Sequence, residues 1–258
     1  MTSDQTNPYR PPKAPLDLAR PIGPSGSFED AIAGRYDFTI GEVMREAWGL
    51  VSGFKGHFWA AAIVIYGLLF VAALVWGGIS VRIFGNTPNV AVRLLVQTVI
   101  SALLTPLLVG LIVMAVRRAA GQPVSFSTVF SHLARAPIFI VAGFVIALLT
   151  YLGLILLVLP GIYLSIAYGM TLPVLAFHSL GPWEAMEASR NAITHHWWRI
   201  FFLYLAVGIL TGLSALALVI PLIWTAPWAL LVLGVLYRRM FGAPATSLQT
   251  DRELTAQA

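Results

Sequence analysis

The sequence predicts an all-α membrane protein: a helical bundle with six transmembrane helices in three hairpins and cytoplasmic amphipathic surface helices. Three observations predict this fold. The 258 residues are 58% hydrophobic and only 10% charged, whereas soluble domains are about 25% charged. Apolar runs recur along the chain at the length of about 20 residues that crosses a bilayer. Basic residues flank these runs, which is the pattern that sets the orientation of a membrane protein.

The chain divides into three parts. Residues 1–36 are polar and rich in proline, and they predict a disordered cytoplasmic tail because such a segment cannot bury enough apolar surface to fold. Residues 37–242 form the predicted membrane domain, and residues 243–258 form a second disordered cytoplasmic tail. The first apolar run begins near Phe58, so no signal peptide is predicted. The absence of cysteine excludes disulfides and thiolate chemistry.

Six apolar runs predict the spans. They are Phe58–Gly78, Arg93–Val116, Pro137–Leu159, Gly161–His178, Trp198–Ile220 and Leu222–Tyr237. The dipeptide Pro160–Gly161 predicts a tight turn between the third and fourth spans, and the sixth run is short for a span.

Charge predicts the orientation of the spans. All but two of the 16 lysine and arginine residues lie on one side of them, the exceptions being Arg82 and Arg93. The positive-inside rule therefore places both termini and all the surface helices in the cytoplasm. Because the basic residues flank spans, the net charge of +5 is topogenic, and no nucleic-acid partner is expected.

The segment Leu180–Arg199 organises the rest of the chain. Pro182 suits the first turn of a helix, and Trp183, Met186, Ile193 and Trp197 predict one apolar face. A cluster of interfacial residue types follows, directly before a long apolar run. This pattern predicts a helix in the membrane surface that leads into a span. The residues expected to contact lipid headgroups are Trp183, Arg190, Trp197, Trp198 and Arg199.

Two other segments resemble the beginning of this one. Phe38–Met44, Val124–Phe130 and Leu180–Met186 each place a capping residue before an amphipathic turn, with a span following. The pattern predicts a threefold repeat of surface helix plus hairpin, and a chance similarity is the alternative. The first copy predicts the clearest apolar stripe, made of Ile40, Val43, Met44, Ala47, Leu50, Val51 and Phe54.

No catalytic, metal or cofactor site is predicted. None of the 11 carboxylates lies within a predicted span, which argues against a proton-coupled transporter with buried carboxylates. A metal site from His195, His196 and Glu187 is conceivable, but adjacent histidines point about 100° apart on a helix, so the amphipathic interpretation is preferred.

The fourth run carries polar and flexible positions within its apolar sequence. It predicts a broken helix, and broken helices often form binding sites in membranes. Residues expected to line a lipid or solute groove are Gln97, Tyr163, Tyr168 and Thr171. The alternative is that these groups form hydrogen bonds between packed helices.

Residues 38–242 resemble a broad group of uncharacterised bacterial membrane proteins. This group is related to the membrane domain attached to some glycerophosphoryl diester phosphodiesterases. The resemblance is carried by a Pro-Gly-Ile-Tyr turn, a span ending in Pro-Val, and a Glu-Ala-Met helix start before the next span. The matching positions are Pro160, Gly161, Tyr163, Pro173, Val174, Glu184, Ala185, Met186 and Ser189. The resemblance implies a bacterial inner-membrane location, and its motifs carry over no catalytic residue.

We therefore expect a non-enzymatic membrane protein that binds lipid, or a partner protein, at the cytoplasmic leaflet. Membrane lipids are the expected partners, together with another membrane protein or a second copy of the chain. The alternative is a transporter or permease subunit in which the second and fourth spans line a path.

Overall fold

The computed structural model describes residues 25–84, 89–217 and 220–244, and all regular structure in these ranges is helical. The α-helices are α1 (Phe28–Ile32), α2 (Ile40–Leu50), α3 (Lys55–Phe84), α4 (Val90–Ala119), α5 (Ala136–Leu156), α6 (Val158–Ala167), α7 (Thr171–Phe177), α8 (Pro182–Thr194), α9 (Trp197–Leu216) and α10 (Leu222–Phe241). Short 3₁₀ turns lie at Val51–Gly53, Phe126–Phe130 and Leu133–Arg135. The predicted all-α class is confirmed.

Five stretches are long and apolar enough to cross a membrane. They are Lys55–Arg82, Leu95–Ala119, Phe126–Leu156, Val158–Phe177 and Trp197–Leu216. Their outer surfaces are apolar: Ile63 on α3 is 70% exposed and Leu216 on α9 is 84% exposed. Large exposed apolar surfaces of this kind are typical of contact with lipid. The fold is therefore that of a multi-pass membrane protein.

The sixth predicted run, α10, differs from these five. It is not among the stretches that satisfy the spanning criteria, and Arg238 and Arg239 occupy its last turn. Its C-terminal half is buried almost throughout. A Cβ at Gly234 would lie 2.6 Å from the carbonyl oxygen of Ala115. A glycine at this position therefore allows α4 and α10 to pack backbone to backbone.

The predicted apolar stripe of α2 is buried against protein. Val43 and Ala47 are fully buried, and the Trp228 indole of α10 donates a hydrogen bond to the carbonyl oxygen of Met44 at 3.0 Å. Thr39 caps the helix, since its hydroxyl accepts from the backbone N–H of Glu42. The helix exists as predicted, and α10 covers its apolar face.

The start of α10 contacts the start of α3. The Trp59 indole donates to the carbonyl oxygen of Ile223 at 3.1 Å, and the Lys55 ammonium lies 5.7 Å from the centre of the Trp224 ring. The predicted topology placed these two helix starts on opposite sides of a hydrocarbon layer about 30 Å thick. Residues joined by a hydrogen bond cannot be so far apart, so one of the two predicted positions is incorrect.

The folded domain begins earlier than the predicted boundary at residue 37. The Ser27 hydroxyl caps α1 by accepting from the N–H of Asp30 at 3.1 Å, and Ala31 and Tyr36 are buried. The N–H of Gly26 donates to the carbonyl oxygen of Arg238 at 3.2 Å. Apolar side chains within residues 28–38 contact the hydrophobic core, although the composition of residues 1–36 as a whole is polar. Residues 1–24 and 245–258 lie outside the described residues.

The second predicted surface helix is a pair of 3₁₀ turns. Ser125 begins the first turn, but its side chain does not cap the backbone and instead lies 2.8 Å from the Ser127 hydroxyl. Val129 packs against α4 at Gly110, where a Cβ would lie 2.1 Å from the Val129 carbonyl oxygen. The segment is too short and too close to α4 to continue as a helix, so the predicted three copies differ in structure.

The fourth run is broken, as predicted, into α6 and α7. At the break, the Ser189 hydroxyl of α8 donates to the carbonyl oxygen of Ala167 at 2.7 Å and accepts from the N–H of Met170 at 3.1 Å. Buried backbone groups released by a helix break must find such partners. The turn before α6 lies at Leu157, and Pro160–Gly161 lies inside α6. The predicted turn position is corrected accordingly, because proline is tolerated in the first turn of a helix.

A labelling experiment tests the position of the α9–α10 connection. We expect a cysteine introduced at Ile220 to resemble one at Gln122, and to differ from one at Asn86, in reaction with an impermeant thiol reagent. The reason is that the first turn of α10 adjoins the first turn of α3. The measurement uses intact cells and inverted membrane vesicles. Labelling of the Ile220 cysteine from the side that labels Asn86 would contradict this arrangement.

Candidate functional site

Helix α8 packs on the protein through a face of small residues. Ala185, Ser189 and Ala192 are fully buried, which brings α8 close to α6 and α7. The Glu184 carboxylate accepts from the N–H of Gly181 at 2.9 Å, so the predicted helix start is present. Trp183 is 62% exposed and lies outside the buried face. The predicted apolar face is found in part: Met186 and Ile193 are buried together with the small side chains, whereas Trp183 is exposed.

A surface cleft of about 430 Å³ lies where α8 ends and α9 begins. The helix is interrupted by a turn at His195 and His196. Trp197 therefore starts a new helix and does not continue the periodicity of α8. The lining residues are Tyr163, Thr194, His195, His196, Trp197, Trp198 and Arg199. Three of the five predicted headgroup residues therefore line one cleft, which we call the headgroup cleft.

Hydrogen bonds fix the polar groups of the headgroup cleft. The Tyr163 hydroxyl lies 2.9 Å from the Thr194 hydroxyl. His195 Nδ1 lies 2.7 Å from the carbonyl oxygen of Asn191, and His196 Nε2 lies 3.2 Å from that of Gly34. A carbonyl oxygen only accepts, so each of these ring nitrogens carries a proton. The opposite nitrogen of each ring is left to meet a ligand or solvent.

Arg199 supplies the positive charge at the cleft. Its guanidinium pairs with the Asp37 carboxylate and donates to the carbonyl oxygen of Phe38 at 3.4 Å. The hydrogen bond from Arg199 lowers the pKa of Asp37, with the Phe38 N–H as a second cause. The side chain of Asp37 is 83% exposed. Exposed ion pairs contribute little to stability, so Arg199 can exchange this partner for another anion at small cost.

The indoles of the cleft have different environments. Trp198 is 67% exposed, whereas Trp197 is half-buried between the Tyr163 ring at 6.1 Å and the Phe201 ring at 5.2 Å. The Nε1 atom of Trp197 is buried without a hydrogen-bond partner in the described part of the chain. A buried donor without a partner costs free energy, and a ligand acceptor would remove this cost only if Trp197 moved, because the atom is buried.

The other two predicted headgroup residues lie outside the cleft lining. Arg190 pairs with Glu187 at 2.6 Å, and this hydrogen bond raises the pKa of Arg190, with a further bond to the Tyr163 hydroxyl contributing less. Arg190 therefore contacts the cleft lining through Tyr163 and through Thr194, whose hydroxyl donates to its carbonyl oxygen. Trp183 lies on the exposed side of α8, in its first turn.

The four predicted groove residues are not brought together. Gln97 is exposed beside α3, and its amide lies 3.5 Å from the Ser101 hydroxyl. Tyr163 lines the headgroup cleft, Tyr168 is buried at the helix break, and Thr171 is fully buried. The predicted groove is corrected: the side chains of one broken helix point in different directions because the chain changes direction at residues 168–170.

A buried ion-pair network joins α2 to the end of α10. Arg238 is fully buried; it pairs with Glu46 and donates to the carbonyl oxygen of Ala119 at the end of α4. Arg239 pairs with Glu42 at 3.1 Å and with Glu46 at 3.0 Å. The guanidinium of Arg238 also lies where the α4 helix dipole is negative, which favours a cation. The network fixes the position of the helix end rather than forming an open site.

This network was not predicted, because Glu42 and Glu46 lie outside the apolar stripe of α2 and no partner was assigned to them. The available signal was two carboxylates four residues apart on one helix and adjacent arginines at the end of another, on the same predicted side of the membrane. Residues three or four apart share a helix face. Two carboxylates and two guanidinium groups at the same depth in the membrane indicate that they form ion pairs.

Metal-binding clusters are not found in the described ranges, where no three His, Asp or Glu side chains are grouped closely enough. No protein family, curated protein or solved structure matches the chain. The resemblance to the phosphodiesterase membrane domain therefore stays a prediction. The structure defines the class as an all-helical, multi-pass membrane protein, and its function is inferred from the clefts.

The ion-pair network generates a stability prediction. Glu46→Gln leaves the buried Arg238 without its charge partner and should lower the free energy of unfolding by about 3 kcal/mol, at the lower end of the cost of breaking a buried pair. Reversible unfolding in mixed micelles measures this. Glu29→Gln is the matched control, since Glu29 is exposed and forms no ion pair within the described chain. In the double variant Glu46→Leu/Arg238→Met, at least half of the loss should be recovered; no recovery would contradict the pairing.

The network also generates a pH prediction. The hydrogen bond from Arg239 lowers the pKa of Glu42 below its ordinary value of 4.5. A lowered carboxyl pKa contributes stability above pH 4.5 that is lost as the pH falls through the folded-state value. The difference in melting temperature between the wild type and Glu42→Gln should therefore be largest above pH 4.5 and shrink in acid. A difference that does not change with pH would contradict this assignment.

Proposed function

We propose that the protein is a non-enzymatic protein of the bacterial inner membrane that binds an anionic lipid headgroup in the headgroup cleft. The observation that carries the proposal is the grouping, around one cleft of about 430 Å³, of the Arg199 guanidinium with the Trp197 and Trp198 indoles. Phosphate is the group that this set of donors fits, since arginine and N–H donors stabilise it by charge-assisted hydrogen bonds.

The charge of the cleft supports an anion rather than a neutral ligand. Arg199 is the cation of the lining, and the carboxylate that neutralises it, Asp37, is an exposed side chain. A phosphodiester that replaces Asp37 at the guanidinium receives a bidentate contact in the same place.

The aromatic residues support a position at the membrane interface. Trp198 is largely exposed beside the cleft, and Trp183 is largely exposed on α8. Indole rings prefer the depth of the headgroups, where the ring is in an apolar layer and the N–H is hydrated. A cleft at this depth meets the phosphate of a lipid while its acyl chains lie along α9.

The orientation follows from charge together with one contact. The N–H of Ala243 donates to the Ser25 hydroxyl at 3.0 Å, which supports a common side for the two ends of the folded domain. The excess of basic residues near both ends favours the cytoplasm for that side. We propose that α3, α4, α5 and α6–α7 cross the bilayer, and that α9 and α10 form a hairpin that returns to the start of α3.

Lipid retention tests the proposal. Native mass spectrometry of protein extracted gently from its own membrane should show bound phosphatidylglycerol, which Arg199→Gln reduces roughly tenfold. This magnitude follows because a hydrogen bond to a charged group contributes about 1.5–3 kcal/mol and 1.4 kcal/mol is tenfold. Trp197→Phe, which removes the indole donor and keeps an aromatic ring, should reduce retention severalfold.

The control is Arg45→Gln, because Arg45 is an exposed arginine of α2 that does not line the headgroup cleft. This variant should retain phosphatidylglycerol like the wild type. Equal retention by wild type and Arg199→Gln would contradict the proposal. Retention of a second polypeptide or a second copy in place of lipid would favour the partner-binding alternative.

A further inference from the structure

A second cleft, separate from the headgroup cleft, lies between α4, α5 and the α6–α7 segment. Its volume is about 350 Å³, which falls within the range of small-molecule sites. We call it the hydroxyl cleft because serine, threonine and tyrosine form its polar lining. The lining residues are Thr98, Ser101, Ala102, Thr105, Leu108, Gly143, Ile146, Ala147, Thr150, Tyr151, Ser165 and Leu172.

The hydroxyl cleft lies inside candidate membrane spans. Its lining residues fall within Leu95–Ala119, Phe126–Leu156 and Val158–Phe177. Leu108 and Tyr151 line the cleft and are 39% and 43% exposed, so the cleft opens on the outer, lipid-facing surface of the bundle. A ligand that reaches it enters sideways from the bilayer.

Some of the hydroxyl groups in the cleft already donate hydrogen bonds to backbone carbonyl oxygens. Thr105 donates to the carbonyl oxygen of Ser101 at 3.2 Å, and Ser165 donates to that of Ile162 at 2.8 Å. Each of these hydroxyl oxygens keeps acceptor capacity after donating. The Thr150 hydroxyl is buried and has no hydrogen-bond partner among the residues described. The cleft therefore offers several acceptors and one uncommitted hydroxyl.

Small residues line the cleft. A Cβ at Gly143 would lie 2.6 Å from the Thr105 hydroxyl oxygen, so glycine lets α4 and α5 approach closely at this wall of the cleft. Ala102 and Ala147 are the other small side chains of the lining. Larger residues at these two positions would reduce the volume of the cleft.

We propose that the hydroxyl cleft binds an uncharged lipid with a free hydroxyl group, of the diacylglycerol type. A lipid alcohol supplies the donor that the serine and threonine acceptors require, and an ester carbonyl accepts from Thr150. The lining has no charged residue, and a phosphate placed there would be desolvated without a counterion at high cost. The lipid-facing mouth admits the two acyl chains.

Photocrosslinking tests the proposal with the full-length protein in phosphatidylcholine nanodiscs. The probe is a diacylglycerol that carries a diazirine near its ester groups. We expect a crosslink to α4 or α5 that unlabelled dioleoylglycerol displaces. The acetate ester of dioleoylglycerol and dioleoylphosphatidate should displace it at least tenfold less well, because the first lacks the donor and the second is charged. Equal displacement by the acetate ester would overturn the proposal.

Two variants of the cleft lining and one control variant test the location of the site. Ala147→Phe fills the cleft and should abolish the crosslink, while Val75→Phe, on the exposed surface of α3, should leave it unchanged. Thr150→Val keeps the shape and removes one hydroxyl, so it should weaken displacement by dioleoylglycerol roughly fivefold, as expected for one hydrogen bond of about 1 kcal/mol. An unchanged crosslink in Ala147→Phe, or unchanged displacement in Thr150→Val, would overturn the assignment.

Discussion

A guanidinium without access to water requires a carboxylate partner, and this requirement organises the end of the bundle where α2, α4 and α10 meet. Arg238 is fully buried, so Glu46 and the carbonyl oxygen of Ala119 must lie beside it. The carboxylate belongs to α2 and the carbonyl to the last turn of α4. One buried charge therefore determines where three helices meet, since an unpaired charge in the same place would cost several kcal/mol.

Buried backbone groups also require hydrogen-bond partners, and this requirement explains how α6, α7 and α8 pack together. The break between α6 and α7 releases a carbonyl and an N–H inside a buried region, and the Ser189 hydroxyl satisfies both. Because α8 must approach closely to place that hydroxyl, small residues flank Ser189 on the buried face of the helix: Ala185, Ala188 and Ala192. The end of α8 then defines where α9 begins, and the headgroup cleft lies at this junction. The position of the headgroup cleft therefore depends on the hydrogen bonds that Ser189 forms at the break between α6 and α7.

The sequence predicted the features that arise from local patterns. Composition and spacing along the chain account for the membrane-length helices, for α2 and α8 with their caps, for the broken fourth run and for the grouping of Trp197, Trp198 and Arg199. They do not account for α1 or for the 3₁₀ turns that replace the second surface helix. Contacts between distant segments were not predicted. The pairing of Glu46 with Arg238 and the contact of Trp59 with Ile223 join residues more than 160 positions apart, and periodicity carries no information about such pairs.

Helix α2, near the start of the folded domain, packs against α10 at its end, and this contact has a consequence for biosynthesis. The carboxylates of α2 are made before their partners on α10, which follow more than 190 residues later in the chain. Until α10 is made, Glu42 and Glu46 lack these partners and the apolar face of α2 stays uncovered. Docking of α2 is therefore a late step of assembly, and a chain that ends before α10 leaves this helix without the partner that covers it.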